Sequence, residues 1–241
     1  LFRSDCDQMD EMLTRVIAGD LLGEIRPSVR VVAQVLRSNL VNLQTKKRAE
    51  GNARHHYDIG NDLYQRMLDP RMVYSCAYWQ NATTLDDAQV AKLDLICRKL
   101  DLKPGDHLVE IGTGWGGFAV HAAKNYGCRV TTTTISERQY ALASKRIAEA
   151  VLTDRITLLL EDYRNLQGQF DKLVSIEMIE AVGYQYYDTY FRKCSELLKP
   201  DGMMLLQAIT IADQQYDAAR RSRSEEHTSE LQSHHDLVCR L

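Results

Sequence analysis

The sequence has no excess of positive charge. Its 30 Lys and Arg residues stand against 33 Asp and Glu, a net charge of −3, and nothing accumulates to neutralise a phosphate backbone, which excludes a dedicated nucleic-acid binder. No run approaches the about 18 consecutive apolar residues that cross a bilayer, and no apolar segment near Leu1 reads as a signal peptide. Cysteine is scattered: the six residues Cys6, Cys76, Cys97, Cys128, Cys194 and Cys239 form no Cys-x-x-Cys and no paired spacing. That pattern speaks against a disulfide framework or a zinc site and suits reduced thiols in a cytosol. The four prolines, at positions 27, 70, 104 and 200, punctuate the chain between periodic segments.

What remains is a chain able to build a core. Hydrophobic residues make up 44% of 241 positions, enough for one α/β domain with additional sequence, or two small domains. The first residue is Leu rather than Met, which suggests a fragment or a processed form. Residues 10–43 carry apolar positions at helical spacing, interrupted by Pro27, and a basic connector follows with Lys46, Lys47, Arg48 and Arg54. The connector reads as a solvated linker, with a contact to anionic lipid headgroups as its sharper alternative. Residues 1–50 are thus expected to form a helical N-terminal segment and linker.

Beyond it the pattern alternates. A short helix is expected at 62–67, ending before Asp69-Pro70, and a longer one over 88–100 opened by Thr84-Leu85-Asp86-Asp87. Strands are expected at 107–111, 129–135, 155–160, 171–176 and 203–211, and helices at 118–126, 137–150 and 186–198. Five strands separated by helices predict a doubly wound, mostly parallel α/β sheet.

One junction carries chemistry. The first strand runs into Glu110-Ile111-Gly112-Thr113-Gly114-Trp115-Gly116-Gly117, which opens a helix. Glycines there permit a tight turn and let a ligand approach backbone where a Cβ would clash, and the helix N-terminus faces that ligand. The string contains the G-x-G-x-x-G of dinucleotide folds, so the glycines alone do not choose the ligand. Glu110, two residues before the first glycine, can engage a positively charged amino group. The second strand ends at Ile135 without the acid that grips an adenosine ribose. Both details favour S-adenosylmethionine. Asp162 and Tyr163, after the third strand, are placed to meet the adenine amino group and ring.

The strings His56-Tyr57-Asp58-Ile59-Gly60-Asn61-Asp62, Tyr74-Ser75-Cys76-Ala77-Tyr78-Trp79, Glu110–Gly117, Thr134-Ile135-Ser136 and Glu180-Ala181-Val182-Gly183 together resemble the cyclopropane-fatty-acyl-phospholipid synthases, relatives of the mycolic acid cyclopropane synthases, over about residues 54–222. The resemblance implies a Rossmann-like class I methyltransferase domain at 51–222. It implies methyl transfer from S-adenosylmethionine to a cis double bond of an unsaturated phospholipid acyl chain, by a cytoplasmic protein lying peripherally on the inner membrane surface. It further implies that a bound bicarbonate removes a proton from the added methyl group, held by Cys76 through its backbone, Glu180, Gln207 and Ile209. Cofactor contacts are implied for Tyr74, Ser75, Glu110, Gly112, Gly114, Thr134, Ile135, Gln139 and Tyr163. A metal is not.

The chemistry suits these residue types. An alkene is a poor nucleophile, so the sulfonium must be held close and aligned. The passing cation needs a dry pocket with aromatic faces, which Tyr74, Tyr78, Trp79 and Tyr184 could furnish together; each taken singly reads first as ordinary core packing. No His–Cys pairing gives Cys76 a covalent role. Glu177 lies three residues before Glu180 and reads as structural. Two departures from the family pattern, Gln207 and Ala181 where histidine is usual, loosen the assignment of ring closure. A relative that methylates without cyclising, a methyltransferase for a soluble small molecule and a non-catalytic binding module remain as alternatives.

After Ser222 the chain runs Arg223-Ser224-Glu225-Glu226-His227-Thr228-Ser229-Glu230, which resembles the translation of a sequencing-adapter oligonucleotide. Residues 223–241 are therefore expected to be foreign to the protein, with the family's closing strands missing. His227, His234 and His235 are not taken as a metal site.

Overall fold

Strand β1, His107–Ile111, is buried over its last four residues, as a strand covered by helices on both faces must be. The structure, a computed structural model, describes residues 15, 61–210 and 234–240. The helical pattern at 10–43, the basic connector and most of the His56–Asp62 string lie outside the described residues.

Helix α1 spans Asn61–Met67 and α2 spans Leu85–Lys99. After β1 come α3 (Gly117–Tyr126), β2 (Arg129–Thr134), α4 (Glu137–Glu149) and β3 (Ile156–Leu160). They are followed by β4 (Phe170–Ile176), α5 (Tyr187–Leu197), β5 (Leu198–Ile209) and β6 (His234–Arg240). The sheet order is β3-β2-β1-β4-β5-β6, parallel throughout except that β6 runs antiparallel to β5.

Alternation along the strands divides the core. Leu108, Val130, Val174 and Leu205 face one layer with α2, α3 and Ile147 of α4, whereas Val109, Ile111, Leu173, Met204 and Leu206 face another with Tyr190, Cys194 and Leu197 of α5. Helices on both faces make the sheet doubly wound, as the alternating pattern predicts. Chain order reverses between β1 and β4, and in such sheets a ligand sits at that switch point, beyond the carboxyl ends of the strands.

The helix starts are legible in chemistry. The Thr84 side chain caps α2 by accepting from the Asp87 N–H at 3.2 Å, and Ser136 caps α4 by accepting from the Gln139 N–H at 3.3 Å. Strand β2 reads Arg-Val-Thr-Thr-Thr-Thr, and its buried hydroxyls all have partners. Thr131 meets His107 Nε2 at 2.9 Å, Thr132 donates to Glu110 at 2.6 Å, Thr133 donates to the Glu161 carbonyl and Thr134 donates to Gln139 Oε1 at 2.8 Å. Burial of these polar groups is tolerable because each is paired.

Strand β5 starts earlier than the apolar run suggests. Leu198 pairs with Phe170 before the register jumps to Met203 opposite Lys172, so Lys199-Pro200-Asp201-Gly202 forms an irregularity inside the strand rather than a turn before it. The alternating pattern accounts for five strands; the sixth, β6, comes from the polar tail and pairs by backbone from Met203↔Arg240 to Ile209↔His234.

Candidate active site

The segment Asp69–Cys76 crosses toward the carboxyl ends of the strands because several buried side chains hold its backbone. Asp69 accepts from the Val73 N–H at 2.8 Å, and Arg146 Nη2 donates to the Pro70 carbonyl at 2.9 Å. From α2, Gln89 Nε2 donates to the carbonyls of Val73 at 3.2 Å and Ser75 at 2.9 Å, while Lys92 Nζ donates to Ser75 Oγ at 2.7 Å. Gln89 and Lys92 are both buried, so this loop is fixed before any ligand arrives. Neither residue stands out in sequence, where each reads as one more polar position on an amphipathic helix.

The loop delivers Cys76 to the ends of β4 and β5. The Cys76 N–H donates to Glu177 Oε1 at 2.9 Å, and Gln207 Nε2 donates to the same oxygen at 2.8 Å and to the Cys76 carbonyl at 3.4 Å. Glu180 is engaged next to them, its Oε1 accepting from the Ile209 N–H at 2.6 Å. Cys76, Glu180, Gln207 and Ile209 are thus brought together as the family resemblance implies. The carboxylate that joins Cys76 to Gln207, however, belongs to Glu177, which the sequence reading sets aside as structural. Its backbone lies in the left-handed region, φ 46°, a conformation costing a non-glycine residue about 1 kcal/mol.

Two acceptor atoms in this cluster, Glu180 Oε2 and Gln207 Oε1, are buried and have no hydrogen-bond partner among the described residues. Burial pushes the Glu180 carboxyl above the ordinary carboxylate range, and the neighbouring Glu177 pushes the same way.

The glycine turn stands beside this cluster. Gly112 has φ +99°, and a Cβ there would come within 3.1 Å of Met178 Cγ, so the turn and the end of β4 pack as closely as only glycine allows. Gly114 has φ +53° with open space where its Cβ would be, leaving backbone accessible to a ligand. Glu110 lies beneath the turn, 2% exposed, with Thr132 donating to its Oε2 and Thr132 in turn bonded to Thr113. Burial raises its carboxyl to about 8, against the pull of the Thr132 hydroxyl and the Lys92 charge. Trp115 is buried against Tyr64 and Met72 and donates from Nε1 to Asn61 Oδ1 at 3.1 Å, tying α1 to the turn. Sequence reading gives Trp115 no part beyond the motif.

The remaining implied cofactor contacts line the same edge. Thr134 and Gln139 are buried and bonded to each other, with Ile135 half-buried between them. Asp162 is committed to Arg164, which donates to it from Nε at 2.8 Å and Nη2 at 2.6 Å. Tyr163 stands half-buried with the Arg164 guanidinium 5.7 Å from its ring centre and Tyr190 edge-on at 5.5 Å. Tyr74 is 49% exposed and meets Tyr64 edge-on at 5.3 Å; Tyr78 and Trp79 are also exposed, so none of the three is enclosed as a wall of a dry pocket. The Tyr184 side chain lies outside the described residues. No group of His, Cys, Asp and Glu suited to a metal ion occurs among the described residues.

The profile of a family described as mycolic acid cyclopropane synthetase matches residues 44–231. The chain belongs to that family. It is 45% identical to cyclopropane-fatty-acyl-phospholipid synthase of Escherichia coli (strain K12) over 205 residues, which is 85% of this chain and 53% of that protein. It is 37% identical to the tuberculostearic acid methyltransferase UfaA1 of Mycobacterium tuberculosis over 188 residues, 75% of this chain and 44% of that one. The chain therefore spans about half the length of these relatives. Among solved structures it resembles mycolic acid cyclopropane synthase CmaA1 in complex with SAH and CTAB, at 31% identity and a TM-score of 0.67, covering 76% of this chain and 67% of that one. The cyclopropane synthase MmaA2 from Mycobacterium tuberculosis matches with a TM-score of 0.67 and 32% identity over 74% of this chain and 62% of that one. The doubly wound sheet is the fold of class I methyltransferases.

Proposed function

We propose that the protein transfers a methyl group from S-adenosylmethionine to the cis double bond of unsaturated phospholipid acyl chains, giving cyclopropane fatty acids. The observation that carries this reading is the convergence of Cys76, Glu177, Glu180, Gln207 and Ile209 beside the glycine turn. Relatives named as cyclopropane-fatty-acyl-phospholipid synthase, and a structural neighbour holding SAH and a lipid-like detergent, support it.

The residues present fit the cofactor. Backbone at Gly114 has open space beside it at the switch point, and the N-terminus of α3 opens directly behind it. Bound there, S-adenosylmethionine supplies an electrophilic methyl group on a sulfonium. Lys92 and Gln89 hold the Tyr74–Cys76 loop against the turn. Glu177 and Glu180, both just past the end of β4, place carboxyl groups where a cationic reaction path is stabilised.

A lipid partner suits the surface. Leu63 and Met67, one helical turn apart on α1, are about half exposed, at 49% and 48%, as are Tyr74 and Trp79 on the loop. No helix among the described residues is long and apolar enough to cross a membrane, so the contact proposed is peripheral, at the inner membrane surface of the cytoplasm.

Bicarbonate, which the family resemblance implies, fits this cluster poorly. The donors expected for it, the N–H groups of Cys76 and Ile209 and the Gln207 amide, already serve the chain's own carboxylates. What is left over among the described residues is Gln207 Oε1, an acceptor that repels an anion, and Glu180 Oε2, on a carboxyl already held by the Ile209 N–H.

The test is incubation of the full-length protein with methyl-labelled S-adenosylmethionine and vesicles of cis-unsaturated phosphatidylethanolamine and phosphatidylglycerol. Label is expected in the acyl chains, and none with fully saturated vesicles. Cofactor binding without label in either lipid would overturn the reading.

A further inference from the structure

We infer that Glu177 is the base of the reaction, a carboxylate carried by the chain itself on the donors where the family resemblance implies an exogenous anion. This rests on the proposed methyl transfer to an acyl double bond and assigns its proton-accepting step.

Three observations carry it. First, Glu177 Oε1 receives two hydrogen bonds from groups far apart in the chain, the Cys76 N–H at 2.9 Å and Gln207 Nε2 at 2.8 Å. An anion bound there would use those same donors, so the side chain and a free anion exclude each other. The other oxygen, Oε2, has no hydrogen-bond partner among the described residues and is free to take a proton. Second, Gln207 is 7% exposed and its Oε1, like Glu180 Oε2, has no hydrogen-bond partner among the described residues. A buried amide that spends its N–H groups on a carboxylate and a carbonyl while leaving its oxygen bare is oriented by Glu177, not by the protein's packing alone. Third, Glu177 keeps a left-handed backbone at φ 46°, a strain that persists only where surrounding contacts over-determine it. Its neighbour Met178 packs on Gly112, so the strained residue adjoins the cofactor turn.

The step balances. The alkene π pair forms a bond to the methyl carbon as the methyl–sulfur bond breaks and its electron pair stays on sulfur. The resulting cation, on the adjacent chain carbon, sits near two carboxylates. Glu177 Oε2 then removes a proton from the added methyl, and the freed C–H pair closes the ring. The proton leaves from the neutral Glu177 carboxyl to water. No oxidant, reductant or further reactant is needed.

The experiment uses full-length protein, the same unsaturated vesicles and buffer purged of carbon dioxide, with and without millimolar bicarbonate. Wild type is expected to keep its rate within about twofold in both buffers. Glu177→Gly, which frees the two donors and suits φ 46°, is expected to lose about a hundredfold or more without bicarbonate and to regain activity when it is added. Glu177→Gln keeps an acceptor oxygen but no basicity, and is expected to be inactive while binding S-adenosylhomocysteine with wild-type affinity. A merely structural role would not make a variant bicarbonate-dependent. A tenfold fall of the wild-type rate on purging, or a Glu177→Gln enzyme as active as wild type, overturns the assignment. Absence of labelled lipid from wild type in both buffers overturns the underlying reading of the reaction instead.

Discussion

The backbone N–H of Cys76 and the carboxylate of Glu177, 101 positions apart in the chain, meet at 2.9 Å, and Gln207 closes the group from β5. Three segments with no sequence proximity are locked together at the carboxyl end of the sheet. Replacement of the amide should therefore act on turnover rather than on cofactor affinity. Gln207→Leu, close in volume, removes one of two donors to Glu177 and is expected to lower kcat by about tenfold or more, roughly 1.4 kcal/mol in the barrier. The dissociation constant for S-adenosylhomocysteine, read by calorimetry, is expected to stay within about twofold.

The glycine turn separates strain from contact. Gly105 and Gly112 have nearly the same φ, +98° and +99°, but a Cβ at Gly105 meets nothing within 4 Å and one at Gly112 meets Met178 at 3.1 Å. Gly105→Ala is expected to cost about 1 kcal/mol in urea unfolding with cofactor affinity unchanged. Gly112→Ala is expected to cost more, about 2 kcal/mol, and to weaken cofactor binding at least about tenfold.

Stability should fall on the alkaline side. The Glu110 carboxyl is raised from its ordinary 4.5 to about 8 by burial. Its neutral form is the one the fold favours, so the stability it contributes is fully present below 4.5 and is lost as pH rises through about 8. The urea midpoint is expected to decline between these values in wild type and to decline less in Glu110→Gln. Lys92→Met removes the charge that opposes the shift, so it is expected to move the decline to higher pH.

The exposed apolar side chains should matter only at the lipid. Trp79→Ser and Leu63→Ser each remove an apolar body worth about 1.5 kcal/mol if buried in the interface. Each is expected to weaken vesicle binding in sedimentation by about tenfold, with thermal unfolding unchanged, since Trp79 and Leu63 are 53% and 49% exposed.

Much of the fold was legible because hydrophobic period and capping agree. The Thr84 cap, the β1–Gly–α3 junction and the β-branched run of β2 place their elements within a few residues. The start of β5 was not, because Pro200-Gly202 signals a turn and only pairing with Phe170 shows that the strand has already begun. Nor does polar composition announce β6, whose membership of the sheet is decided by a ladder with β5.

The site divides likewise. The motif residues Cys76, Glu180, Gln207 and Ile209 are recognisable and do converge. Glu177 was passed over because two glutamates three apart look interchangeable in a string. The choice between them depends on which one reaches the Cys76 N–H, a contact across 101 positions. Asp162, adjacent to the third strand, reads in the string as a ligand for adenine, and what the string does not weigh is Arg164, two residues on, which donates to its carboxylate. Gln89 and Lys92 were invisible because their role is to hold another segment's backbone.

The most direct measurement is mass and NMR analysis of acyl chains after incubating full-length protein, in buffer purged of carbon dioxide, with methyl-labelled S-adenosylmethionine and cis-unsaturated phospholipid vesicles. The account predicts chains heavier by one CH₂, with the label in a cyclopropane methylene and the same yield when bicarbonate is restored. Cofactor bound by a folded protein with unchanged acyl chains in both buffers would contradict it.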